Sequence, residues 1–84
     1  MELTVVKRAA ILVDGFIWTV APPRRHHDVI ALYFAETGAR LPAGAVQGFL
    51  TDDGFMTREQ AARLAFEAGQ IAEPKDMLFT EDLW

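Results

Sequence analysis

The densest cluster of side chains capable of chemistry is Arg24-Arg25-His26-His27-Asp28. Adjacent residues on a helix point about 100° apart, so the two histidines cannot easily chelate one metal ion, whereas helical ligand pairs sit three or four residues apart. A small metal-dependent hydrolase or nucleotide-handling enzyme built on His26, His27 and Asp28 would need a further ligand from Asp52 or Asp53. The simpler interpretation is an exposed helix start with one histidine packed inside.

The charges of this cluster indicate a contact role. Asp28 suits the positive end of a helix dipole, whereas two arginines and any protonated histidine at that end oppose it. Because such a placement is unfavourable for the helix alone, we interpret Arg24, Arg25 and His27 as candidates for binding a partner.

Acidic and aromatic residues supply the remaining candidates. Asp52-Asp53-Gly54 contains paired carboxylates, although aspartates in such a turn most often bond the local backbone. The final Leu83-Trp84 is either a docking tail, since Trp is enriched among interface hot spots, or a segment that folds back onto the core. The candidate partner-binding residues are Arg24, Arg25, His27, Asp52, Asp53, Glu81, Asp82 and Trp84.

Several catalytic chemistries lack their residues. The 84-residue chain contains neither cysteine nor serine, which removes thiol and serine nucleophiles and thiolate metal sites. It has no Gly-rich phosphate loop and no Gly-x-Ser-x-Gly elbow. We therefore expect a protein that is not an enzyme and that holds no metal and no cofactor.

Composition bounds the architecture and the partners. With 51% hydrophobic and 24% charged residues, the chain is expected to form one domain spanning residues 1–84. A net charge of −4 is unsuited to direct nucleic-acid binding and suits a basic protein partner, although many cytosolic proteins carry such a charge. The absence of a signal-peptide pattern and of an apolar run long enough for a bilayer predicts a cytoplasmic protein without membrane contact.

The elements that must position these residues follow from periodicity and turn signals. Residues 3–13 and 16–20 are rich in β-formers around Asp14-Gly15, which predicts a hairpin. Pairing Val13 with Phe16 places one predicted core face on alternate residues, namely Ala9, Ile11, Val13, Phe16, Trp18 and Val20. Residues 25–37 show helical spacing, and Gly38 is a suitable helix stop.

The second half of the chain predicts a strand, a turn and a capped helix. Val46–Thr51 is a short strand, and Thr57 with Gln60 forms a capping box for the next helix. Ala61, Leu64, Ala65 and Ala68 are predicted to form its core face, widened by Ala62 and Phe66, and Gly69 to end it. Residues 77–79 are expected to add a strand. The predicted fold is α+β, a small mostly antiparallel sheet with two helices packed on one face.

Several segments together form a recognisable pattern: Arg25-His26-His27-Asp28-Val29-Ile30, the stretch from Gly48 to Ile71 with its Gly-Phe-Leu-Thr, Arg-Glu-x-Ala-Ala and Ala-Gly-Gln-Ile elements, and the closing Phe79-Thr80-Glu81-Asp82-Leu83-Trp84. From its first segment to its last, at residues 25 to 84, the pattern extends over about two thirds of the chain. It resembles a family of small, mostly uncharacterised proteins encoded by phages and prophages. In size and character the chain is also similar to anti-CRISPR proteins.

The resemblance implies an inhibitor of a host defence system. The expected partner is a subunit of a CRISPR-Cas effector, in particular the type I (Cascade) surveillance complex, whose binding to target DNA would be blocked in the host cytoplasm. The alternatives are the metal-dependent enzyme described above and a self-associating phage regulatory or structural module. The chain is expected to be a monomer or a homodimer.

Overall fold

The fold combines a four-stranded antiparallel sheet with two helices, as seen in a computed structural model that describes residues 4–84. The predicted α+β class is confirmed. The strands lie in the order β2-β1-β3-β4. The elements are β1 (Val6–Val13), β2 (Phe16–Thr19), α1 (His26–Thr37), β3 (Val46–Thr51), β4 (Gly54–Thr57), α2 (Arg58–Glu67) and a 3₁₀ turn (Thr80–Asp82). Leu3, predicted to begin the first strand, lies outside the described residues.

The β1-β2 hairpin has the predicted register, with Val13 opposite Phe16 and Ile11 opposite Trp18. Asp14 and Gly15 both have positive φ, 49° and 84°. Two successive residues with positive φ characterise the tight turn whose twist matches paired strands, which explains why Asp-Gly occurs here. The hairpin therefore presents Phe16 at a fixed position.

Both helices pack on the same face of the sheet, and the core divides into two clusters below them. Alternate residues of each strand point toward the helices, as strand geometry requires. Under α1 the buried residues are Ala9, Ile11, Val13, Val20 and Val29. Under α2 they are Val6, Phe49, Ala61, Ala62, Ala65 and Leu78.

Helix α2 begins and ends as predicted. The hydroxyl of Thr57 accepts from the backbone N–H of Gln60, whose side chain accepts from the N–H of Thr57. Two orphan donors of the first turn are thereby satisfied, a stabilisation of about 1 kcal/mol. Gly69, with φ 76°, follows the helix. Arg63 and Glu67, one helical turn apart, form an ion pair at 3.2 Å.

Two aromatic residues predicted to be in the core are exposed. Phe16 is 74% exposed because it sits at the tip of an edge strand, beyond the contact between Trp18 and Tyr33 of α1, whose ring centroids are 5.0 Å apart. Phe66 is 42% exposed, since the buried Ala61, Ala62 and Ala65 direct α2 against the sheet and turn Phe66 outward. Small residues permit this close approach, and a ring would prevent it.

The predicted strand at residues 77–79 is wrong. Leu78 bonds the start of α2 instead of a strand, donating its N–H to the carbonyl of Arg58 at 3.0 Å. The N–H of Phe79 is satisfied by the carboxylate of Asp82 at 2.9 Å, which caps the 3₁₀ turn. Since both amides have partners outside the sheet, this segment adds no fifth strand.

Candidate functional site: a basic pocket and a hairpin groove

The starts of both helices and the C-terminal segment surround a small polar pocket of about 200 Å³. We call it the basic pocket. It is lined by Arg25, His26, His27, Arg58, Phe79, Thr80 and Glu81. The positive ends of two helix dipoles therefore lie beside two arginines and two histidines, which favours negative charge in this pocket.

Trp84 folds back and fixes the first wall of the basic pocket. Its indole N–H donates to the carbonyl of Arg24 at 3.0 Å, and its main-chain oxygen accepts from Nη2 of Arg25 at 2.6 Å. The ring is half-buried and packs against the cluster under α2. Of the two interpretations of the last residues, the structure places Trp84 on the core. The fold thus brings Trp84 to Arg24 and Arg25, although Trp84 and Arg24 are 60 residues apart in the sequence.

Arg58 fixes the opposite wall. Its Nη1 donates to the carbonyl of Leu78 at 2.9 Å and its Nη2 to the side-chain oxygen of Gln47 at 2.7 Å. The guanidinium also lies 4.7 Å from the ring centroid of Phe79, within cation-π range. Burial lowers the pKa of Arg58, although a guanidinium remains charged in proteins.

The side chain of His26 packs in the interior of the protein. Its Nε2–H donates to the carbonyl of Gly48 at 2.6 Å, and its ring meets Phe49 edge to face at 5.0 Å. The packed-histidine interpretation is confirmed, with His27 as its exposed neighbour. Burial lowers the pKa of His26 below its usual 6.5, and the nearby charge of Arg58 acts in the same direction. The Gly48 bond and the charge of Glu81 oppose this shift without reversing it.

We expect the stability of the protein to fall as the pH decreases below about 6.5, because of His26. The lowered pKa means that the unfolded chain binds more protons than the folded chain in this range, so acid favours unfolding. The contribution of His26 is fully present above pH 6.5 and falls toward the folded-state pKa, by at most about 1.4 kcal/mol per pH unit. Urea denaturation at a series of pH values measures this slope.

Two variants test this assignment. His26→Gln keeps an N–H donor for Gly48 and removes the titrating group, so the slope just below pH 6.5 should flatten. His27→Gln is the matched control and should retain the slope. The carboxylates of Asp52 and Asp82 have pKa values lowered from 3.8, so they affect the pH dependence of stability only in more acidic solution. An unchanged slope in His26→Gln would contradict the assignment.

The set His26, His27 and Asp28 is not arranged as a metal site. His26 points into the core, and Asp28 accepts from the N–H of Arg25 at 2.8 Å as part of the cap of α1. His27 lies 3.5 Å from Asp28 on the surface. Within residues 4–84, no group of three or more His, Cys, Asp or Glu side chains is placed to hold a metal ion.

The predicted acidic residues lie apart from the pocket, except Glu81. Asp52 accepts from Lys7 and from the N–H of Val5, and Asp53 accepts from Thr4 at 3.2 Å. The expected local turn bonding by these aspartates is therefore wrong, because the hydroxyl of Thr51 makes those bonds. Hydrogen bonds from Lys7 and then Val5 lower the pKa of Asp52.

Asp82 is also used within the chain. Its carboxylate pairs with Lys75 at 2.5 Å and accepts from the N–H of Phe79. The hydrogen bond from Lys75 is the largest cause of its lowered pKa. Asp82 thus shapes the turn that carries Glu81 to the basic pocket.

A second depression lies at the opposite end of α1, with a volume of about 480 Å³. We call it the hairpin groove. It is lined by Val13, Asp14, Phe16, Ile17, Trp18, Tyr33 and Thr37. Apart from Asp14 and Thr37 its lining is aliphatic or aromatic, and Phe16 and Ile17 are exposed. Such surface is characteristic of interaction sites.

Sequence reasoning missed Arg58 and Phe16 as site residues. Arg58 directly follows the capping residue Thr57, and this position at the start of a helix was an available signal. Phe16 follows an Asp-Gly turn directly, and a ring beside a tight turn on an edge strand is a reasonable candidate for exposure.

A protein-family model described as phage T4 y16D protein matches residues 5–84. The chain belongs to this family. The phage part of the resemblance is thereby confirmed. Neither the curated proteins nor the solved structures contain a match to the chain. Within residues 4–84, no helix is long and apolar enough to cross a membrane.

Proposed function

We propose that this phage-family protein is a non-enzymatic inhibitor that binds a host defence complex in the host cytoplasm. The partner is a subunit of a type I CRISPR surveillance complex, and binding blocks access of target DNA. Membership of a phage protein family supports the part of the proposal that makes the inhibitor a phage protein. The hairpin groove supports the mode of action, because it provides a surface suited to protein binding.

The exposure of Phe16 is the observation that carries this proposal. A small domain gains stability by burying its rings, yet Phe16 is 74% exposed at the tip of a tightly turned hairpin. The turn and the Trp18-Tyr33 contact fix its surroundings, so little conformational entropy is lost when a partner covers it. Rigid aromatic anchors beside a pocket are typical interface hot spots.

Charge supports a basic partner. Asp14 is the single charged residue in the lining of the hairpin groove within residues 4–84. The whole chain carries a net charge of −4. Surfaces that bind nucleic acid are strongly basic, so an acidic protein with one aspartate beside its apolar groove suits such a surface better than it suits DNA.

The test compares two phenylalanine variants in binding to a purified type I surveillance complex. Phe16→Ser should weaken binding by about 30-fold or more, the effect of losing a 2 kcal/mol hot spot. Phe66→Ser is the matched control, since Phe66 is also exposed but lies on α2 away from the groove. Biolayer interferometry with immobilised complex measures both affinities.

Pull-down from cells with an active type I system complements this measurement. Recovery of surveillance subunits by the unaltered protein and by Phe66→Ser, but not by Phe16→Ser, would support the proposal. Recovery by all three proteins would overturn the role of the hairpin groove. Recovery of no surveillance subunit by any of them would overturn the partner.

A further inference from the structure

The outward side of α1 is apolar, although it faces solvent. No charged residue lies between Val29 and Ala35. Ile30 and Phe34, one helical turn apart, are 39% and 56% exposed, while Val29 packs inward. A surface helix normally presents charged residues to water, whereas a helix that is hydrophobic on all sides is normally buried. The sequence of α1 is therefore suited to contacts on both of its sides.

Helix α2 shows the usual arrangement in the same fold. Its residues Glu59, Gln60, Arg63 and Glu67 are exposed, and within α2 Phe66 is the one large apolar side chain among them. Both helices pack over buried clusters on the same face of the sheet, so their position in the fold does not explain the difference. The apolar outward side of α1 therefore indicates a contact that α2 lacks.

A groove of about 470 Å³ lies along this side of α1. We call it the α1 groove. Its lining is mainly apolar, with two basic residues, and includes Ile30, Ala31, Phe34 and Leu41 together with His27 and Arg40. Among the described residues no carboxylate lines it, although the whole chain carries a net charge of −4. The α1 groove thus differs in the sign of its charge from the rest of the protein.

Arg40 supplies most of the positive charge in the α1 groove. The residue is exposed, and it belongs to none of the ion pairs within residues 4–84. His27 contributes less, because it lies 3.5 Å from the carboxylate of Asp28. Interfaces are arranged so that opposite charges meet. A partner that covers the apolar side of α1 is therefore expected to place carboxylates opposite Arg40.

We propose that the α1 groove binds an acidic amphipathic helix of another protein, with apolar side chains in the groove and a carboxylate on Arg40. Helix-in-groove recognition uses anchors spaced three or four residues apart. Ile30 and Phe34 form a row with this spacing, and such rows pack between the side-chain rows of a facing helix. The lining shares no residue with that of the hairpin groove, so this proposal does not depend on the inhibitor proposal.

A second copy of the chain is disfavoured as the occupant by its charges. If two α1 helices packed in parallel about a two-fold axis, their Arg40 side chains would lie together. If they packed antiparallel, Arg40 of each copy would lie beside Arg24 and His27 at the start of the other helix. Like charges that meet across an interface weaken it. An acidic helix avoids this repulsion in either direction.

The experiment is an NMR titration of the full ¹⁵N-labelled chain with two synthetic amphipathic peptides of equal length. Both peptides have leucine on one helical face, and their polar face is glutamate in one and lysine in the other. The net charge of −4 favours the lysine peptide, whereas Arg40 favours the glutamate peptide. We expect the glutamate peptide to bind about fivefold more tightly or better, with shifts in the amide signals of α1 and residues 39–41.

Three outcomes of this titration would overturn the proposal. They are binding of the lysine peptide as tightly as the glutamate peptide, shifts confined to residues outside α1 and 39–41, and binding of neither peptide. Light scattering of the unaltered protein and of Phe34→Ser tests the remaining occupant. A dimer that this substitution converts to a monomer would place a second copy in the α1 groove and would also overturn the proposal, whereas a monomeric unaltered protein supports it.

Four variants in two matched pairs assign the contact. Phe34→Ser should weaken binding of the glutamate peptide by about 30-fold or more, as for an interface hot spot, whereas Phe66→Ser on α2 should leave it unchanged. Arg40→Gln should remove the preference for the glutamate peptide, and Arg63→Gln on α2 should retain it. Phe34 and Arg40 are exposed, so both variants should fold, which the amide signals of β1 and β3 report. Equal effects within either pair would contradict the assignment.

Discussion

Replacing Gly48 with alanine is expected to lower the free energy of unfolding by about 3 kcal/mol or more. A Cβ at this position would lie 2.1 Å from the carbonyl oxygen of Met56 and 2.7 Å from Cζ of Phe55. The nearest atom belongs to the backbone of β4, so the clash cannot be relieved by rotating a side chain. Overpacking typically costs 1 to about 3 kcal/mol, and here strand β4 itself must move.

The effect of Gly48→Ala should extend beyond the strand pair. The carbonyl of Gly48 accepts the hydrogen bond of His26, so a shift of β3 weakens the anchor of α1 as well. Gly44→Ala is the matched control, because no heavy atom lies within 4 Å of its added Cβ and its loop is exposed. Urea denaturation should find Gly44→Ala within about 0.5 kcal/mol of the original protein. A similar result for Gly48→Ala would contradict the described packing of β3 against β4.

Replacing Phe49 with alanine is expected to cost about 3–5 kcal/mol, the range for a buried phenylalanine. Phe49 is fully buried in the cluster under α2, where it meets the ring of His26 edge to face. A domain of this size has a total stability of only about 5–15 kcal/mol, so this loss removes a large part of it and should lower the melting temperature markedly. Thermal denaturation followed by circular dichroism measures the loss.

Phe16→Ala is the control for this substitution. The same side chain is removed from the same face of the sheet, but at an exposed position, and the expected change is within about 0.5 kcal/mol. Equal losses for the two variants would mean that Phe16 is buried in solution. That result would also remove the basis of the hairpin groove as a docking surface.

Much of the fold follows from local signals in the sequence. The Asp14-Gly15 turn fixes the register of the hairpin, and Gly38 and the Thr57 cap fix helix limits to within a residue or two. These features depend on contacts between near neighbours. Alternation also identified the face of β1 that is buried, since a strand has only two faces to choose between.

The predictions are wrong where packing against an element distant in sequence determines the structure. Alternation gives the face of Phe16 but not whether α1 extends far enough to cover it. Helical spacing placed Phe66 beside the core face, but the alanines of α2 set its rotation against the sheet. Residues 77–79 have the composition of a strand, yet the N–H of Leu78 bonds the carbonyl of Arg58 at the start of α2 and not a strand edge.

The candidate site was predictable in part. The cluster Arg24-Arg25-His26-His27-Asp28 does line or adjoin a pocket, and Glu81 and Trp84 reach it. Asp52 and Asp53 instead bond residues near the start of the described chain. The link between Trp84 and Arg25 spans the chain, and such a long-range contact leaves no local pattern in one sequence.

Binding of target DNA by a purified type I surveillance complex, measured with increasing amounts of this protein, tests the central proposal most directly. The inhibitor account predicts that the unaltered protein and Phe66→Ser abolish DNA binding, whereas Phe16→Ser does so only at about 30-fold higher concentration. Unchanged affinity for target DNA in the presence of excess unaltered protein would contradict it.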